Sequence, residues 1–137
     1  MAVIINGRDL TIEQVISVCR HHEKVELAPE AVEAVKKARA YVEKKGAEKA
    51  VVYGLTTGFG KFANVAIDTE QTAVLQRNLI ISHTCSMGKP YEQKYVRAAM
   101  LLRANSLARG NSGIRLETLQ TLLDMLNAGI HPIVPEK

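Results

Sequence analysis

Aromatic residues are scarce in this chain of 137 residues, which has two phenylalanines, four tyrosines and no tryptophan. Lysine and arginine outnumber aspartate and glutamate by 18 to 14, but these charges are scattered among one another along the chain. A nucleic-acid interface needs a clustered basic face, and single-strand binders add aromatic platforms for the bases. We therefore expect a solvated surface and no nucleic-acid partner.

Cysteine is also rare, and Cys19 and Cys85 lie far apart with no Cys-x-x-Cys pair. No apolar run approaches the roughly 18 residues of a membrane span, and the first residues lack the apolar core of a signal peptide. We expect a reduced, cytoplasmic protein without a membrane partner. Both thiols are expected to be buried and unreactive.

The chain has four histidines, and no metal-ligand spacing joins His21, His22 or His131 to one another or to a cysteine. A metal site is therefore not expected. Four arginines between residues 97 and 115 recur at six-residue steps, which does not place them on one helical face. We interpret these four residues as solvated charge: Arg97, Arg103, Arg109 and Arg115.

Hydrophobic residues make up 47% of the chain, which indicates one globular domain, and their spacing is mostly helical. The five predicted helices run from Thr11, Pro29, Asp68, Glu92 and Leu116, and the last four end near Gly46, Cys85, Arg109 and Gly129. Thr11 and Gln14 form a capping box, and the first helix is expected to bury Ile12, Val15, Ile16 and Cys19. The fourth is apolar nearly all round, which predicts burial among other helices.

The other predicted regular structure is a strand at residues 3–5, which enters an Asn6-Gly7 turn and pairs with residues 24–27. The predicted fold is therefore mainly α. We describe it as a helical-bundle segment with a short N-terminal β-hairpin and a glycine-rich lid loop.

The glycine-rich stretch is residues 51–62, VVYGLTTGFGKF. A phosphate loop would need glycine in place of Leu55 and a hydroxyl residue in place of Phe62. The order Gly58-x-Gly60-x-x-Ala63 fits a dinucleotide turn, but no acid follows about 20 residues later, where a ribose would need one. The stretch therefore predicts no nucleotide cofactor.

Two side chains are candidates for chemistry on residue type alone. Tyr53 opens the glycine-rich stretch, and a phenol on a lid loop could transfer protons if its neighbours lowered its pKa from about 10. The alternative is a tyrosine that only packs on a turn-rich loop. His83 continues the apolar stripe of Leu75 and Leu79, so we expect it to face inward, where a substrate or a backbone carbonyl would be its partner.

Four segments together carry a resemblance to a known family. Tyr53-Gly-Leu-Thr-Thr-Gly-Phe-Gly60 closely resembles the Tyr-Gly-x-Asn/Thr-Thr-Gly-Phe-Gly signature of the aromatic amino acid ammonia-lyases. Leu75 to His83, followed by Gly88, is similar to the next block of that family in its histidine-specific members. Two further blocks resemble the family in order and spacing, at residues 105–114 and 131–137.

The resemblance implies elimination of ammonia from an amino acid to give an α,β-unsaturated acid. These lyases use an electrophilic methylidene-imidazolone that they make from their own Ala-Ser-Gly, with no metal or nucleotide. The tyrosine matching Tyr53 transfers protons from a lid over the substrate. The resemblance also implies that Ser82, His83 and Gly60 contact the substrate.

A Ser-His pair at residues 82 and 83 is typical of lyases acting on L-histidine to give urocanate, in histidine degradation. Tyrosine and phenylalanine lyases usually carry His-Leu or Phe-Leu there, and a tyrosine or phenylalanine lyase or aminomutase is the alternative within the family. Thr56, where histidine lyases more often have Asn, departs from the histidine pattern, as do Thr84 and Cys85.

The chain contains no Ala-Ser-Gly, which in the family closely follows the residues matching Glu136 and Lys137. The resemblance therefore implies that residues 1–137 are the truncated N-terminal portion of a lyase, and that this fragment is inactive alone. Family members are homotetramers whose active sites take residues from several subunits. A hypothesis of another class is a non-catalytic helical module that binds a partner.

Overall fold

The computed structural model describes residues 2–48, 52 and 69–137, of which residues 69–73 are described by their backbone alone. The chain divides into two compact units, Met1–Tyr41 with Gly88–Lys137 and, separately, Val42–Met87. The elements are β1 (Val3–Ile5), α1 (Ile12–His21), β2 (Val25–Leu27), α2 (Pro29–Ala47), α3 (Thr69–His83), α4 (Gln93–Ala108) and α5 (Leu116–Asn127). The mainly α prediction is confirmed. Within the described residues, no helix is long and apolar enough to cross a membrane.

The two short strands pair as predicted, but the expected β-hairpin is wrong because the pairing is parallel. Val3 lies opposite Val25 and Ile5 opposite Leu27. A hairpin needs a tight turn between antiparallel strands, whereas parallel strands need a longer crossover. Here α1 is that crossover, and it returns the chain so that β2 runs in the same direction as β1.

Helix α1 begins with the predicted capping box. The Thr11 hydroxyl accepts from the Gln14 amide at 3.3 Å, and the Gln14 side chain accepts from the Thr11 amide at 2.9 Å. The inner face differs from the expected one. Val18 and Cys19 are buried and Val15 is half-buried, whereas Ile12 and Ile16 are exposed. The apolar spacing allowed either stripe, and packing against α4 selects the one that turns Val18 inward.

Helix α4 lies at the centre of the first unit, where it packs against α1 and α5. Its buried side chains recur every three or four residues, which is the spacing of one helical face. They are Val96, Arg97, Met100, Leu101, Ala104 and Ala108. Leu102 on the other side is exposed, so burial covers less of the helix than its apolar composition predicts. Helix α5 contributes the buried leucines of the predicted stripe, Leu119, Leu123 and Leu126.

The prediction that Arg97 is a solvated charge is wrong. Its side chain is 1% exposed, and its two terminal nitrogens donate to Leu126 O at 2.9 Å and Val18 O at 2.8 Å. Both carbonyls belong to the last turns of helices, where oxygens lack partners within the helix. A cation there also interacts favourably with the negative ends of the helix dipoles. Arg97 thus joins the C-terminal ends of α1 and α5.

The side chain of Asn127 continues the small sheet on its other edge. Its Oδ1 accepts from the Val25 amide at 2.8 Å, and its Nδ2 donates to Val25 O at 2.9 Å. A primary amide has one acceptor and one donor side, so it can bind a strand as a neighbouring backbone would. The end of α5 is therefore joined to β2 as well as to Arg97.

The two cysteines differ, which corrects the expectation that both are buried. Cys19 is 6% exposed, and burial raises the pKa of its thiol while the nearby Arg97 opposes that shift. Cys85 is an exposed free thiol just after α3. The expectation followed from the usual burial of free cysteines, but Cys85 lies beyond the end of α3 at His83.

Candidate functional site

Ser82 and His83 are the last two residues of α3, and hydrogen bonds join their side chains. The Ser82 hydroxyl lies 3.0 Å from His83 Nδ1. Both groups also lie close to the carbonyl of Leu79 in the preceding turn, at 3.0 Å from Ser82 Oγ and 2.8 Å from His83 Nδ1. The final turn of α3 therefore holds the two side chains in one cluster around a single backbone oxygen.

This cluster assigns the tautomer of the neutral histidine ring. A carbonyl oxygen only accepts hydrogen bonds, so the short contact with Leu79 O requires the ring hydrogen on Nδ1. Nε2 then carries the lone pair and is an acceptor in the neutral ring. Nε2 has no hydrogen-bond partner among the described residues. His83 therefore offers an acceptor to a ligand, and a second donor when protonated.

The partner of His83 was predicted to be either a substrate or a backbone carbonyl, and the structure shows a carbonyl on the Nδ1 side. The inward orientation is not observed, since both Ser82 and His83 are exposed. The apolar stripe on which this expectation depended is not buried either, since its leucines Leu75 and Leu79 are only half-buried. Ile80 and Ile81 on the same helix are 68% and 60% exposed.

Two of the predicted site residues, Tyr53 and Gly60, lie outside the described residues, together with the rest of the glycine-rich stretch from residue 53 to its end. The predicted Asp68 cap of α3 also lies outside them. The structure thus brings together one pair of the four predicted site residues, Ser82 and His83. The roles of Tyr53 and Gly60 stay predictions.

The cavity described in the first unit contains none of the predicted site residues. Its volume is about 310 Å³, and it is lined by the turn after β1, the start of α2 and the end of α4. Asn6 organises that turn, since its Oδ1 accepts from the amides of Arg8 at 2.9 Å and Asp9 at 3.1 Å. The Asn6-Gly7 sequence signal predicted the turn, but nothing in the sequence predicted a cavity beside it.

Asn105 belongs to the third block of the family resemblance and has a structural contact in this chain. Its Oδ1 accepts from the Gly7 amide at 2.9 Å, which joins the turn after β1 to α4. No local sequence signal predicts this contact, because the two partners lie 98 residues apart in the chain. As for metals, no three potential ligand side chains come together within the described ranges.

Comparison with known proteins decides the family. A family model described as "Aromatic amino acid lyase" matches residues 10–137. The chain belongs to the aromatic amino acid lyase family. This is the family indicated by the four sequence blocks.

The relatives of this aromatic amino acid lyase chain include a histidine ammonia-lyase from Alkaliphilus metalliredigens, 55% identical over 135 residues, with 98% of this chain and 27% of the relative covered. Among solved structures, histidine ammonia-lyase from Trypanosoma cruzi superposes with a TM-score of 0.91 at 38% identity, over 100% of this chain and 26% of that one. The ergothioneine-degrading enzyme ergothionase from Treponema denticola superposes with a TM-score of 0.94 at 37% identity. That match covers 100% of this chain and 28% of ergothionase. The chain therefore spans about a quarter of the length of these proteins.

Proposed function

We propose that this chain is the N-terminal part of a histidine ammonia-lyase, which eliminates ammonia from L-histidine to give urocanate. The observation that carries the proposal is the 55% identity to a histidine ammonia-lyase over 98% of the chain. The fold match alone does not select a substrate, because the TM-scores to the histidine lyase and to ergothionase are both above 0.9. The Ser82-His83 pair adds support from chemistry.

The contribution proposed for His83 is recognition of the substrate side chain. Its Nδ1–H is bound to Leu79 O, which leaves the Nε2 lone pair to accept from an N–H of the substrate imidazole. Ser82 keeps the ring in this orientation through its contact with Nδ1. A phenyl ring has no N–H or O–H to donate to this acceptor, so the pair favours histidine over phenylalanine.

The contribution proposed for Tyr53 is proton transfer to or from the substrate, with Gly60 in the same segment allowing the backbone to approach closely. The methylidene-imidazolone of the family supplies an electrophile that makes the amine a better leaving group. The chain contains no Ala-Ser-Gly, so that group would be formed by residues of the complete lyase outside this chain. What the described residues supply is contact with the substrate side chain.

The complete protein is proposed to be a cytoplasmic homotetramer. Support for the compartment comes from the exposed free thiol of Cys85, since reducing compartments preserve such groups. Support for the tetramer comes from the family resemblance. Light scattering on the complete protein tests the assembly, and a monomeric result would contradict it.

Substitution of His83 tests the proposal in the complete lyase. We expect His83→Leu to lower kcat/KM for L-histidine by about 100-fold, because the substrate imidazole loses its acceptor in the pocket. Urocanate absorbance measures the rate, and Cys85→Ser is the matched control at an exposed position two residues later. A complete lyase that prefers tyrosine or phenylalanine before any substitution would refute histidine as the substrate.

A further inference from the structure

Two prolines face each other across a small antiparallel bridge, Pro90 before α4 and Pro135 near the C-terminus. Two backbone hydrogen bonds flank the pair. The Tyr91 amide donates to Val134 O at 2.8 Å, and the Glu136 amide donates to Lys89 O at 3.0 Å. We call residues 89–91 and 134–136 the proline clamp.

The geometry of the bridge explains why proline is tolerated at both positions. In antiparallel pairing, residues directly opposite each other alternate between those that exchange hydrogen bonds and those that do not. Pro90 and Pro135 occupy the second kind of position, because the bonds on either side come from Tyr91 and Glu136. Their missing N–H groups therefore cost nothing here. Their fixed φ also reduces the number of conformations that each segment loses on pairing.

The clamp ties the last residues of the chain to the central helix of the first unit. Residues 89–91 lead directly into α4, whose Val96 and Leu101 lie in the core. On the other side, Gly88 has φ +104, and the Lys137 nitrogen is the nearest atom to the place where a Gly88 side chain would begin, at 3.9 Å. The backbone at residue 137 is thus held beside the backbone at residue 88.

We propose that the proline clamp is a positioning element of the lyase, and that the Tyr91 and Glu136 amides are its essential groups. By holding residues 134–136 against the entry to α4, the clamp sets the place and direction in which the backbone reaches Lys137. It thereby positions the part of the complete lyase that continues from there. The kinetic consequence rests on the proposed lyase function, whereas the clamp itself does not.

Three substitutions in the complete lyase separate the effect of losing the Glu136 backbone amide from the effects of losing its side chain or of introducing a proline. Glu136→Pro removes the amide that binds Lys89 O. Glu136→Ala removes only the exposed carboxylate and keeps the amide. Ile133→Pro introduces proline into the same extended segment, at a residue that is 80% exposed and whose amide makes no hydrogen bond among those described.

Hydrogen exchange at the Tyr91 amide reports on the clamp directly. We expect Glu136→Pro to accelerate exchange by about 10-fold or more, because opening one bond of an isolated pair frees the other. The Glu136→Ala and Ile133→Pro variants should exchange like the parent protein. Equal exchange rates of the Tyr91 amide in Glu136→Pro and Ile133→Pro would refute the proposed role of the Glu136 amide in the clamp. This result does not depend on which reaction the enzyme catalyses.

Kinetics then test positioning. We expect Glu136→Pro to lower kcat by about 10- to 100-fold with KM and melting temperature nearly unchanged, since small misplacements of reacting groups have effects of this size. The two controls should keep the parent kcat. If Glu136→Pro does not fold, Gly88→Ala disturbs the opposite segment and should lower kcat in the same way. Faster exchange with an unchanged kcat would overturn positioning, whereas a parent enzyme inactive on histidine would instead refute the proposed function.

Discussion

Arg97 is the one buried charged residue identified in the described part of the chain, and two helix ends depend on it. Removing a guanidinium from water is costly unless hydrogen bonds compensate. Here two of its nitrogens are bonded, while Nε is buried without a partner among the described residues. The spacing of the arginines does not reveal that Arg97 is buried. A sequence shows that a residue is charged, but the burial of Arg97 depends on α1 and α5, whose bonded carbonyls lie 79 and 29 residues away in the chain.

Replacing Arg97 by methionine should destabilise the chain. Methionine fills much of the same space, but Val18 O and Leu126 O lose their charged donor, and such bonds contribute about 1.5–3 kcal/mol each. We expect Arg97→Met to lower the free energy of unfolding by about 3 kcal/mol in urea denaturation. Arg103→Met is the control on the same helix at an exposed position, and equal losses in both variants would contradict the role of Arg97.

Tyr53 yields the residue-scale prediction about catalysis. In the complete lyase, Tyr53→Phe should lower kcat by about 100-fold or more, because proton transfer by a positioned side chain contributes on that scale. The ring is kept, so circular dichroism and melting temperature should remain close to those of the parent. An unchanged kcat would remove the phenol from the mechanism.

At the scale of elements, local signals predicted most of the helix boundaries. The capping box placed the start of α1, and Pro29 placed the start of α2 in its first turn. Gly46 was predicted to end α2, yet the helix continues through it to Ala47. A glycine permits a helix end but does not require one.

Two glycines allow a matched test of how elements approach one another. Gly110 follows α4 with φ +71, and an added methyl group would lie 2.6 to 2.7 Å from Ala34 in α2. Gly46 lies inside α2, and nothing is within 4 Å of its added methyl group.

We expect Gly110→Ala to destabilise the chain by about 2 kcal/mol or more, from an unfavourable φ and a backbone clash. Gly46→Ala should instead stabilise α2 by about 0.5–1 kcal/mol, because alanine has the higher helix propensity. Thermal unfolding measures both changes. A neutral Gly110→Ala would contradict the close packing of α2 against the residue after α4. A destabilised Gly46→Ala would contradict the open surroundings of Gly46.

At the scale of the whole molecule, the chain is about a quarter of its relatives' length and exposes many large apolar side chains. Ile133 is 80% exposed, Ile12 74% and Met87 71%. Only contiguous apolar patches mark contacts with other protein, whereas side chains exposed singly are normal on a protein surface. These exposures alone therefore do not locate an interface.

The 137-residue chain alone is expected to produce no urocanate from L-histidine. It contains no Ala-Ser-Gly to form the electrophile, and its candidate pocket residues Ser82 and His83 are exposed. Absorbance of urocanate after prolonged incubation measures this, with the complete lyase as the positive control. Measurable turnover by the purified chain would contradict the proposal that residues outside this chain form the electrophile of the active site.

The family and the helices could be read from the sequence because they depend on local information. Capping, glycine and proline signals, and helical periodicity act within a few residues, and the family blocks are contiguous segments. The Ser82-His83 cluster is of the same kind, since its carbonyl partner Leu79 lies one turn away.

Parallel pairing of the strands, burial of Arg97 and the binding of Asn127 to Val25 were decided by the tertiary structure. Each depends on segments far apart in the chain that meet only in the folded first unit, where α1 connects the two strands and α4 packs against α1 and α5. Burial of Cys19 in α1 depends on the same packing, whereas Cys85 lies just after the end of α3 and is exposed. Residue type shows what a side chain can do, but its solvent exposure and its partners depend on how distant elements pack.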